Sequence, residues 1–394
     1  MTVPRPVYIV AAKRTPICGF LGAFASLSAP QLGALAIRAA LAQAKVPVDA
    51  IGEVYMGNVL TAGVGQSPAR QASRFAGLPD SVPTTTVGKV CGSGMQSVLL
   101  GARSIAVGDV DVVVAGGQES MSRVPYYLQK ARDGYRMGNG ELVDGMIHDG
   151  LWDPYGNFHM GIAGEKCATE YDLGREVQDA FATESYRRAI VAQNEGRFQE
   201  ELAPVSVPQA KGEAVVISVD DEPSRGKPEK FASLRPAFKK DGTITAANAS
   251  TISDGACALV LASEKAVKEH GLEPLARIAG YGASAQEPDW FTTAPAAAVK
   301  HALTKLSLAT KDIGLHEINE AFSVVPLVVA KLCELDLATV NVNGGAVALG
   351  HPIGASGARI LTTLIYAMRT RGVQRGCASI CIGGGEGLAM VLER

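Results

Sequence analysis

The feature that most constrains the fold is a pattern of helix and strand that occurs twice in the chain. In the first occurrence, an apolar helix that begins at Ser93-Gly94 leads to a strand that ends at Gly116-Gly117. In the second, a helix that begins at Ser356-Gly357 leads to a strand that ends at Gly383-Gly384. A duplicated unit can bury one face of each copy against the other and bring equivalent strand ends, which carry Cys91 and Cys381, together at a shared crevice. Similar patterns also occur in unrelated α/β proteins, so duplication is a hypothesis at this point.

The strands of this pattern indicate an α/β fold. Residues 111–117 are apolar on both faces, as in a parallel sheet that is covered on both sides, and Val7–Val10 is a similar run. Between them, Gln31–Ala44 has the apolar spacing of a crossover helix. Residues 122–250 are richer in charge, glycine and proline, and their clearest element is a helix predicted over Val177–Glu195. We interpret them as an insertion that forms a substrate lid or lobe.

The composition is that of a folded protein without a strong charge preference. The 394 residues are 47% hydrophobic and 19% charged, a chain long enough for about two or three domains. A net charge of −2 gives no reason to expect nucleic acid or a membrane surface as a partner. The seven cysteines form no disulfide framework or zinc motif, and Met1–Val10 lacks the layout of a signal sequence. We therefore expect a cytoplasmic protein with no metal site.

Cys91 and His351 have the surroundings of a nucleophile and its base. Cys91 lies just before a predicted helix, where N–H groups stabilise a thiolate, and Gly92 and Gly94 let a substrate approach the backbone. His351 lies in a glycine-rich loop, and histidine is the natural base for a thiol near neutral pH. Each also has a structural alternative, because most cysteines are small buried hydrophobic residues and a loop histidine can serve packing alone.

Two further residues accompany this pair. Cys381 ends a strand predicted over Cys377–Ile382, and alternation places Cys377 and Cys381 on one face, one as a buried filler and the other at a crevice. Asn319 follows an apolar run, and its amide can hold a water or a carbonyl, although capping a helix is the commoner role. The cysteines, the histidine and the adjoining glycines together predict thiol chemistry with stabilisation of an oxyanion.

These motifs resemble the thiolase family along nearly the whole chain, and within it the acetyl-CoA acetyltransferases. The resemblance rests on Val90-Cys91-Gly92-Ser93-Gly94, Gly116-Gly117-Gln118-Glu119-Ser120-Met121, His159-Met160-Gly161, Asn248-Ala249-Ser250, Asn319-Glu320-Ala321-Phe322, Gly344-Gly345-Ala346, Gly350-His351-Pro352, Gly357-Ala358-Arg359 and Cys381-Ile382-Gly383-Gly384-Gly385. It implies an α/β fold with a duplicated core of two related mixed-sheet halves, layered α-β-α-β-α, and an inserted loop domain. The implied domains are an N-terminal core (1–121 with 251–272), a loop domain (122–250) that binds coenzyme A, and a C-terminal core (273–394).

The resemblance also implies a reaction and the residues that carry it. Cys91 would hold the acyl group as a thioester, His351 would activate Cys91, and Cys381 would move a proton at the substrate α-carbon. Asn319 would hold a water that forms one oxyanion hole with His351, and the N–H groups of Cys91 and Gly383 would form the other. The implied activity is reversible ping-pong condensation of two acetyl-CoA to acetoacetyl-CoA and CoA. Thiolysis of longer or 2-methyl-branched 3-ketoacyl-CoA substrates is the alternative.

The resemblance further implies how substrates are held. The matching positions are His159, Met160 and Ser250 against pantetheine, Leu151, Ala321 and Phe322 near the acyl pocket, Phe291 at a pocket position of short-chain enzymes, and Ala246 in a stretch shared with them. No tightly bound cofactor is implied, since coenzyme A is substrate and product. The family is usually a homotetramer, a dimer of dimers.

Several positions depart from the family pattern. Gly88 precedes Lys89 where many relatives have asparagine, and Glu386 follows the glycines where an apolar or small residue is more familiar. The stretch Asp220–Lys230, where relatives hold the adenine and phosphates of CoA, matches poorly, and its basic residues are as readily solvated surface. Pro223 stands where potassium-binding relatives have tyrosine, which leaves a potassium ion in doubt.

Two other functions fit part of the sequence. Glycine-ended strands such as Val112–Gly117 occur in dinucleotide-binding oxidoreductases, but no complete Gly-x-Gly-x-x-Gly follows a strand here. A relative that binds coenzyme A or a lipid without catalysis would keep the fold and lack acylation of Cys91. Intact mass after treatment with acetyl-CoA separates the thiolase, which gains one acetyl group, from both.

Overall fold

The computed structural model describes residues 5–394, so residues 1–4 of the predicted N-terminal domain and of the Met1–Val10 segment lie outside the described residues. The longer strands of its main sheet are β1 Val7–Arg14, β2 Glu53–Gly57, β3 Thr84–Val87, β4 Val112–Ser120, β5 Ser253–Ser263, β6 Ala276–Ala285, β7 Leu315–Ile318, β8 Arg375–Ile382 and β9 Glu386–Glu393, and Cys18–Gly19 adds a two-residue strand beside β5. The helices are α1 Ala29–Ala44, α2 Pro68–Ala76, α3 Ser93–Val107, α4 Met160–Glu170, α5 Arg175–Asn194, α6 Glu264–His270, α7 Ala294–Lys305, α8 Val324–Cys333, α9 Ala346–Leu349 and α10 Ile353–Arg371.

The main sheet consists of two blocks with the same strand order and directions. In the N-terminal block, β1, β5 and β4 pair antiparallel in that order, and β4 pairs parallel with β2. In the C-terminal block, β6, β9 and β8 pair antiparallel in that order, and β8 pairs parallel with β7. The blocks join where Tyr8 and Ile9 pair with Arg277 and Ala276. This repeated order confirms the duplicated core that the sequence predicted.

Buried side chains define five layers. Helices α3 and α10 pack between the two blocks, so closely that a Cβ on Gly357 would lie 2.5 Å from the Met95 nitrogen. On the outer face of the N-terminal block, α1 contributes Ile37 to an apolar cluster with the sheet. On the outer face of the C-terminal block, α7 and α8 contribute Val299 and Val328 to another. The layer order is therefore α-β-α-β-α, as predicted.

Strand register shows which positions of the two halves correspond. Gly57, the last residue of β2, pairs with Gly117, and Ile318, the last residue of β7, pairs with Ser379. Two residues further along the partner strands stand Glu119 in the N-terminal half and Cys381 in the C-terminal half. The strands on the other side support the same correspondence, because Glu119 pairs with Gly255 of β5 and Cys381 pairs with Gly387 of β9.

The helix starts give a second correspondence and a correction. Cys91 lies two residues before α3, and His351 lies two residues before α10. The sequence analysis matched Ser93-Gly94 with Ser356-Gly357 and placed Cys91 and Cys381 at equivalent strand ends, which is wrong. Pro352 occupies the N-cap position of α10, so the helix begins at Ile353, three residues earlier than that match requires. The counterpart of Cys91 is His351, and the counterpart of Cys381 is Glu119.

Residues 122–250 contain α4, α5 and short strands of two or three residues. The helix predicted over Val177–Glu195 is present as α5. Two buried carboxylates fix this region. Glu165 accepts hydrogen bonds from the Thr243 and Ile244 nitrogens (2.8 Å each), and Asp220 pairs with the buried Arg14 of β1 (2.7 and 2.8 Å). These contacts hold the segment before residues 245–250 against α4 and bring residues 220–225 to the core.

Candidate active site

A cavity of 530 Å³ lies where residues 122–250 meet the core. Of the residues predicted from the sequence, it is lined by Leu151, His159, Ala246, Ser250, Ala321, Phe322 and His351. Cys91 packs beside it, against the cluster that contains Met121, Leu151 and Ile353. Most of the wall is apolar, so a ligand there is removed from water and the few polar groups fix its orientation.

His351 is held in one orientation by its δ nitrogen. Ser356 Oγ donates to the Pro352 carbonyl (2.9 Å), so it accepts the hydrogen of His351 Nδ1, which lies 2.6 Å away. The lone pair of the neutral ring is then on Nε2. Burial, with a smaller effect from Arg359, lowers the pKa of His351 to about 3. The imidazole is therefore neutral near pH 7, with Nε2 free to accept a proton.

Asn319 faces that free nitrogen. Its Nδ2 lies 3.5 Å from His351 Nε2, and its buried Oδ1 has no hydrogen-bond partner among the described residues. It caps no helix, since the next helix, α8, begins at Val324. The alternative role considered for this residue is therefore wrong, and an amide with a free acceptor lies beside the histidine.

The backbone around Cys91 is a tight turn. The Gly92 nitrogen donates to the Lys89 carbonyl (3.0 Å), and Val90 has φ +42°, a left-handed conformation that a β-branched residue rarely adopts. The N–H groups of Cys91 itself and of Gly383, from the other half of the molecule, lie close enough to the Cys91 sulfur to lower its pKa. The two N–H groups predicted to form an oxyanion hole therefore converge on one atom.

The charge state of Cys91 differs from the sequence expectation. The position before a helix predicted a stabilised thiolate. Burial raises the pKa of Cys91 to about 11, and the N–H groups of Gly383 and Cys91 oppose that shift without cancelling it. Burial of both side chains therefore favours an uncharged thiol and an uncharged imidazole over an ion pair.

Cys381 lies close enough to Cys91 that the charge of one thiolate affects the other. It is fully buried, and burial followed by the nearby Cys91 raises the pKa of Cys381 well above its ordinary value. Cys377, on the same strand face, is also buried and packs in the same cluster under α7 and α8, as the alternation predicted. A thiolate at Cys91 therefore disfavours ionisation of Cys381.

His159 and an aromatic wall close the other side of the cavity. His159 Nδ1 accepts from the Gly161 nitrogen (3.1 Å), and its ring stacks on Phe238 at 4.6 Å between centroids. Burial lowers the pKa of His159, so the neutral ring carries its hydrogen on Nε2 as a donor. Phe238 in turn meets Phe322 edge-on, and Phe291 packs behind Phe322 at 6.4 Å. Phe291 thus shapes the wall without lining the cavity.

Met160 and Gly383 meet at the base of the site. A Cβ on Gly383 would lie 3.6 Å from Met160 Cε and 3.4 Å from Val90 Cγ1. Neither Met160 nor Gly383 lines the cavity, which makes them neighbours of the thiols rather than of its wall. Ser250 lines the cavity with its Oγ donating to the Ala321 carbonyl (3.0 Å).

Sequence reasoning missed Phe238 and Glu119. Phe238 lies in a charged, proline-containing loop, and its position just before the Thr245–Ser250 stretch was the only available signal. The Glu119 carboxylate accepts from Asn58 Nδ2 (2.6 Å) and from the nitrogens of Val59, Leu60 and Gly354 (3.0, 3.2 and 2.9 Å). It thereby ties the N-terminal half to the start of α10, three residues after His351.

Within residues 5–394, no cluster of three or more His, Cys, Asp or Glu side chains is arranged to hold a metal ion. In the same range, no helix combines the length and apolar character needed to cross a membrane.

Known proteins match the chain over almost its full length. The thiolase N-terminal domain matches residues 7–265, and the thiolase C-terminal domain matches residues 272–394. This chain belongs to the thiolase family. The acetyl-CoA acetyltransferase of Cupriavidus necator is 50% identical over 389 residues, which are 98% of this chain and 99% of that protein.

Solved structures of relatives share the architecture. The acetyl-CoA acetyltransferase of Bacillus anthracis has a TM-score of 0.97 at 40% identity, with 100% of both chains covered. A thiolase from Ascaris suum in complex with coenzyme A has a TM-score of 0.94 at 47% identity, covering 99% of this chain and 100% of that one. The predicted fold class is confirmed.

Proposed function

We propose that this protein is an acetyl-CoA C-acetyltransferase, which condenses two acetyl-CoA to acetoacetyl-CoA and CoA and catalyses the reverse thiolysis. The observation that carries the proposal is the convergence of the Cys91 and Gly383 N–H groups on the Cys91 sulfur, with the free Nε2 of His351 at the adjoining cavity. The names of full-length relatives at about half identity support the same activity.

In the first half-reaction, Cys91 Sγ attacks the thioester carbonyl of acetyl-CoA as its proton passes to His351 Nε2. The carbonyl oxygen becomes negative and is stabilised by the N–H groups of Cys91 and Gly383. The carbon–sulfur bond to CoA then breaks, and the departing CoA sulfur takes the proton of Cys381. The products are acetyl-Cys91, an imidazolium, a Cys381 thiolate and neutral CoA thiol, so atoms and charges balance.

In the second half-reaction, the Cys381 thiolate removes an α-proton from another acetyl-CoA. The resulting enolate oxygen is held by His351 and by Asn319 through a bridging water, and its carbon attacks acetyl-Cys91. Cys91 leaves as a thiolate and recovers its proton from His351. Acetyl-Cys91 cannot ionise, so no Cys91 thiolate opposes the charge of the Cys381 thiolate at this stage.

For coenzyme A, the proposal assigns pantetheine to the cavity wall formed by His159, Phe238 and Ser250, with Met160 behind that wall at the base of the site. The Nε2–H of His159 supplies a donor for an amide or thioester carbonyl. Leu151, Ala246, Ala321 and Phe322 surround the acyl end. Arg225, at the cavity rim and 3.2 Å from Asp221, is the basic side chain placed to meet a phosphate.

Assembly, location and ion dependence are also proposed. A homotetramer is supported by exposed apolar side chains on one loop of the 122–250 region, Tyr126, Leu128, Met137 and Leu142. We assign the enzyme to the cytoplasm and to lipid metabolism. The side chain of Pro223 offers no oxygen ligand, so activity is expected to be equal in sodium and potassium buffers.

The test is thiolysis of a chain-length series. Acetoacetyl-CoA with CoA should lose its ketoacyl thioester, and C6 and C8 3-ketoacyl-CoA should react much more slowly, because the Phe322 and Phe291 rings close the acyl end. Folded protein that leaves acetoacetyl-CoA unchanged would defeat the proposal. Equal rates along the series would instead support the broader 3-ketoacyl-CoA thiolase.

A further inference from the structure

Two loops from opposite halves meet at the Cys91 sulfur. We call residues 89–93 the nucleophile loop and residues 383–385 the glycine loop. We propose that Lys89 and Glu386 are positioning residues whose ion pair fastens the nucleophile loop to the glycine loop and so keeps the N–H groups of Cys91 and Gly383 aimed at one oxygen. This inference rests on the proposed function, because it concerns the oxyanion hole of that reaction.

The nucleophile loop is rigid within itself. Lys89 donates its backbone N–H to Ser93 Oγ (2.8 Å), and Ser93 Oγ donates to the Val90 carbonyl (2.7 Å). These bonds hold Val90 in its left-handed conformation and attach the loop to the start of α3. A contact at Lys89 therefore acts on the Cys91 N–H two residues later.

The glycine loop has no side chains of its own to hold it. Gly384 and Gly385 have φ +89° and +86°, and Gly384 has no neighbour within 4 Å of a Cβ position. The backbone that carries the Gly383 N–H is therefore held at its ends and, on the side away from Cys91, by the hydrogen bond from the Gln286 nitrogen to the Gly385 carbonyl (2.9 Å). One end is β8, and the other is Glu386 at the start of β9.

The Lys89–Glu386 pair joins that second end to the nucleophile loop. The Lys89 ammonium contacts the Glu386 carboxylate, with side chains 24% and 39% exposed. Within the described chain, it is the one side-chain ion pair or hydrogen bond that links residues 89–93 to residues 383–386. A pair this exposed adds little to stability, so its value lies in the geometry that it enforces. Its acidic member is also one of the positions at which the sequence departs from the family pattern.

Glu386→Gln and Lys89→Met, alone and combined, test the pair by thiolysis of acetoacetyl-CoA. Displacing one oxyanion donor by a fraction of an ångström should lower kcat about 5- to 50-fold and leave KM for CoA within about twofold. The double variant should be no slower than the slower single variant, because both changes break one contact. Lys89→Glu combined with Glu386→Lys should recover most of the lost rate.

The matched control is Glu393→Gln. Glu393 lies at the other end of β9, is 21% exposed and pairs with Arg375 at 2.8 Å and with Arg277, so its loss removes two ion pairs from the same strand away from the thiols. It should leave kcat within about twofold, because surface pairs rarely have larger effects.

Hydrogen exchange of the glycine-loop amides provides a readout that does not depend on turnover. It should quicken in Glu386→Gln and stay unchanged in Glu393→Gln. An active wild type with unchanged kcat and unchanged exchange in Glu386→Gln would overturn the role of the pair. Additive losses in the double variant, or no recovery on exchanging the charges, would also overturn it. An inactive wild type would overturn the proposed function instead, and the exchange rates would still decide whether the pair fastens the loop.

Discussion

The two halves of the molecule share one arrangement of strands and helices but contribute different residues to the reaction centre. Strand register and helix starts identify three pairs of corresponding positions, the first member in the N-terminal half: Asn58 and Asn319, Glu119 and Cys381, Cys91 and His351. The reaction centre takes both members of the third pair but only the C-terminal members of the other two. Duplication therefore supplied two sets of strand-end loops, and the site combines parts of both.

The strand-end loops of the two halves differ in their hydrogen bonds. In the N-terminal half, Glu119 accepts from Asn58 Nδ2 and from three backbone nitrogens, so this polar cluster is filled apart from Asn58 Oδ1. In the C-terminal half, Asn319 Nδ2 faces the ring of His351 instead of a carboxylate, its Oδ1 also has no partner, and Cys381 is a small thiol close to a second thiol. Satisfied buried groups hold structure, whereas groups left open can exchange partners with a substrate.

The largest effect is expected from Cys91→Ala. Removing the nucleophile should lower thiolysis roughly 10⁴-fold or more and abolish the acetyl adduct in intact mass after acetyl-CoA treatment. Cys333→Ala, at a buried cysteine that ends α8, is the matched control and should retain activity. An acetyl adduct that survives in the Cys91 variant would show that another residue carries the acyl group.

Substitution of the corresponding asparagines Asn319 and Asn58 should lower activity in the first case and stability in the second. Asn319→Ala removes the amide beside His351 and should lower kcat about 10²- to 10³-fold with little change in thermal stability. Asn58→Ala leaves a buried carboxylate short of a donor and should cost about 1–3 kcal/mol of unfolding free energy. Its effect on kcat in folded protein should be the smaller of the two. The reverse ranking would contradict the assignment of the two halves.

Glu119→Gln tests whether the filled cluster is structural. Gln keeps one acceptor oxygen but presents an amide group to N–H donors, so we expect a loss of about 1–3 kcal/mol in unfolding free energy. Burial raises the pKa of Glu119 to about 7, so the folded state binds more protons than the unfolded state between about pH 4.5 and 7. The contribution of Glu119 to the unfolding free energy therefore falls as pH rises through that range. The difference in unfolding free energy between the wild type and the Gln variant should narrow accordingly. Chemical denaturation at pH 5 and pH 8 measures this difference in unfolding free energy. A difference that increases with pH would contradict the prediction.

The smallest expected effect is the absence of an inflection between pH 5 and 9 in the rate at which Cys91 is alkylated. With the pKa of Cys91 at about 11 and that of His351 at about 3, both groups stay neutral between pH 5 and 9. Alkylation of Cys91 by iodoacetamide should therefore rise about tenfold per pH unit up to pH 9, because only the thiolate reacts. A plateau from pH 5 to 8 would indicate a thiolate–imidazolium pair at rest.

Local sequence patterns predicted much of the architecture and the chemical residues. The helix predicted over residues 93–107 is present with those bounds, and α5 differs from its prediction only at the ends. Cys91 and His351 could be identified from the sequence because the glycines and the proline that flank them form recognisable local motifs. Their roles remain predictions.

Long-range contacts explain what sequence reasoning could not find. The Glu119 cluster joins residues separated by as many as 235 positions, and strand register alone determines that they meet. The mistaken match of Cys91 with Cys381 arose because glycines mark both strand ends although the strands stop at different registers. Burial likewise decided the Cys91 pKa against the helix N-terminus, and burial depends on packing between both halves.

The division of labour between the two thiols is tested most directly by Cys381→Ala with acetyl-CoA in D2O. The variant should gain one acetyl group at Cys91 in intact mass and fail to exchange the methyl protons of acetyl-CoA, while the wild type does both. Methyl exchange at the wild-type rate in the variant would contradict the assignment of the proton to Cys381.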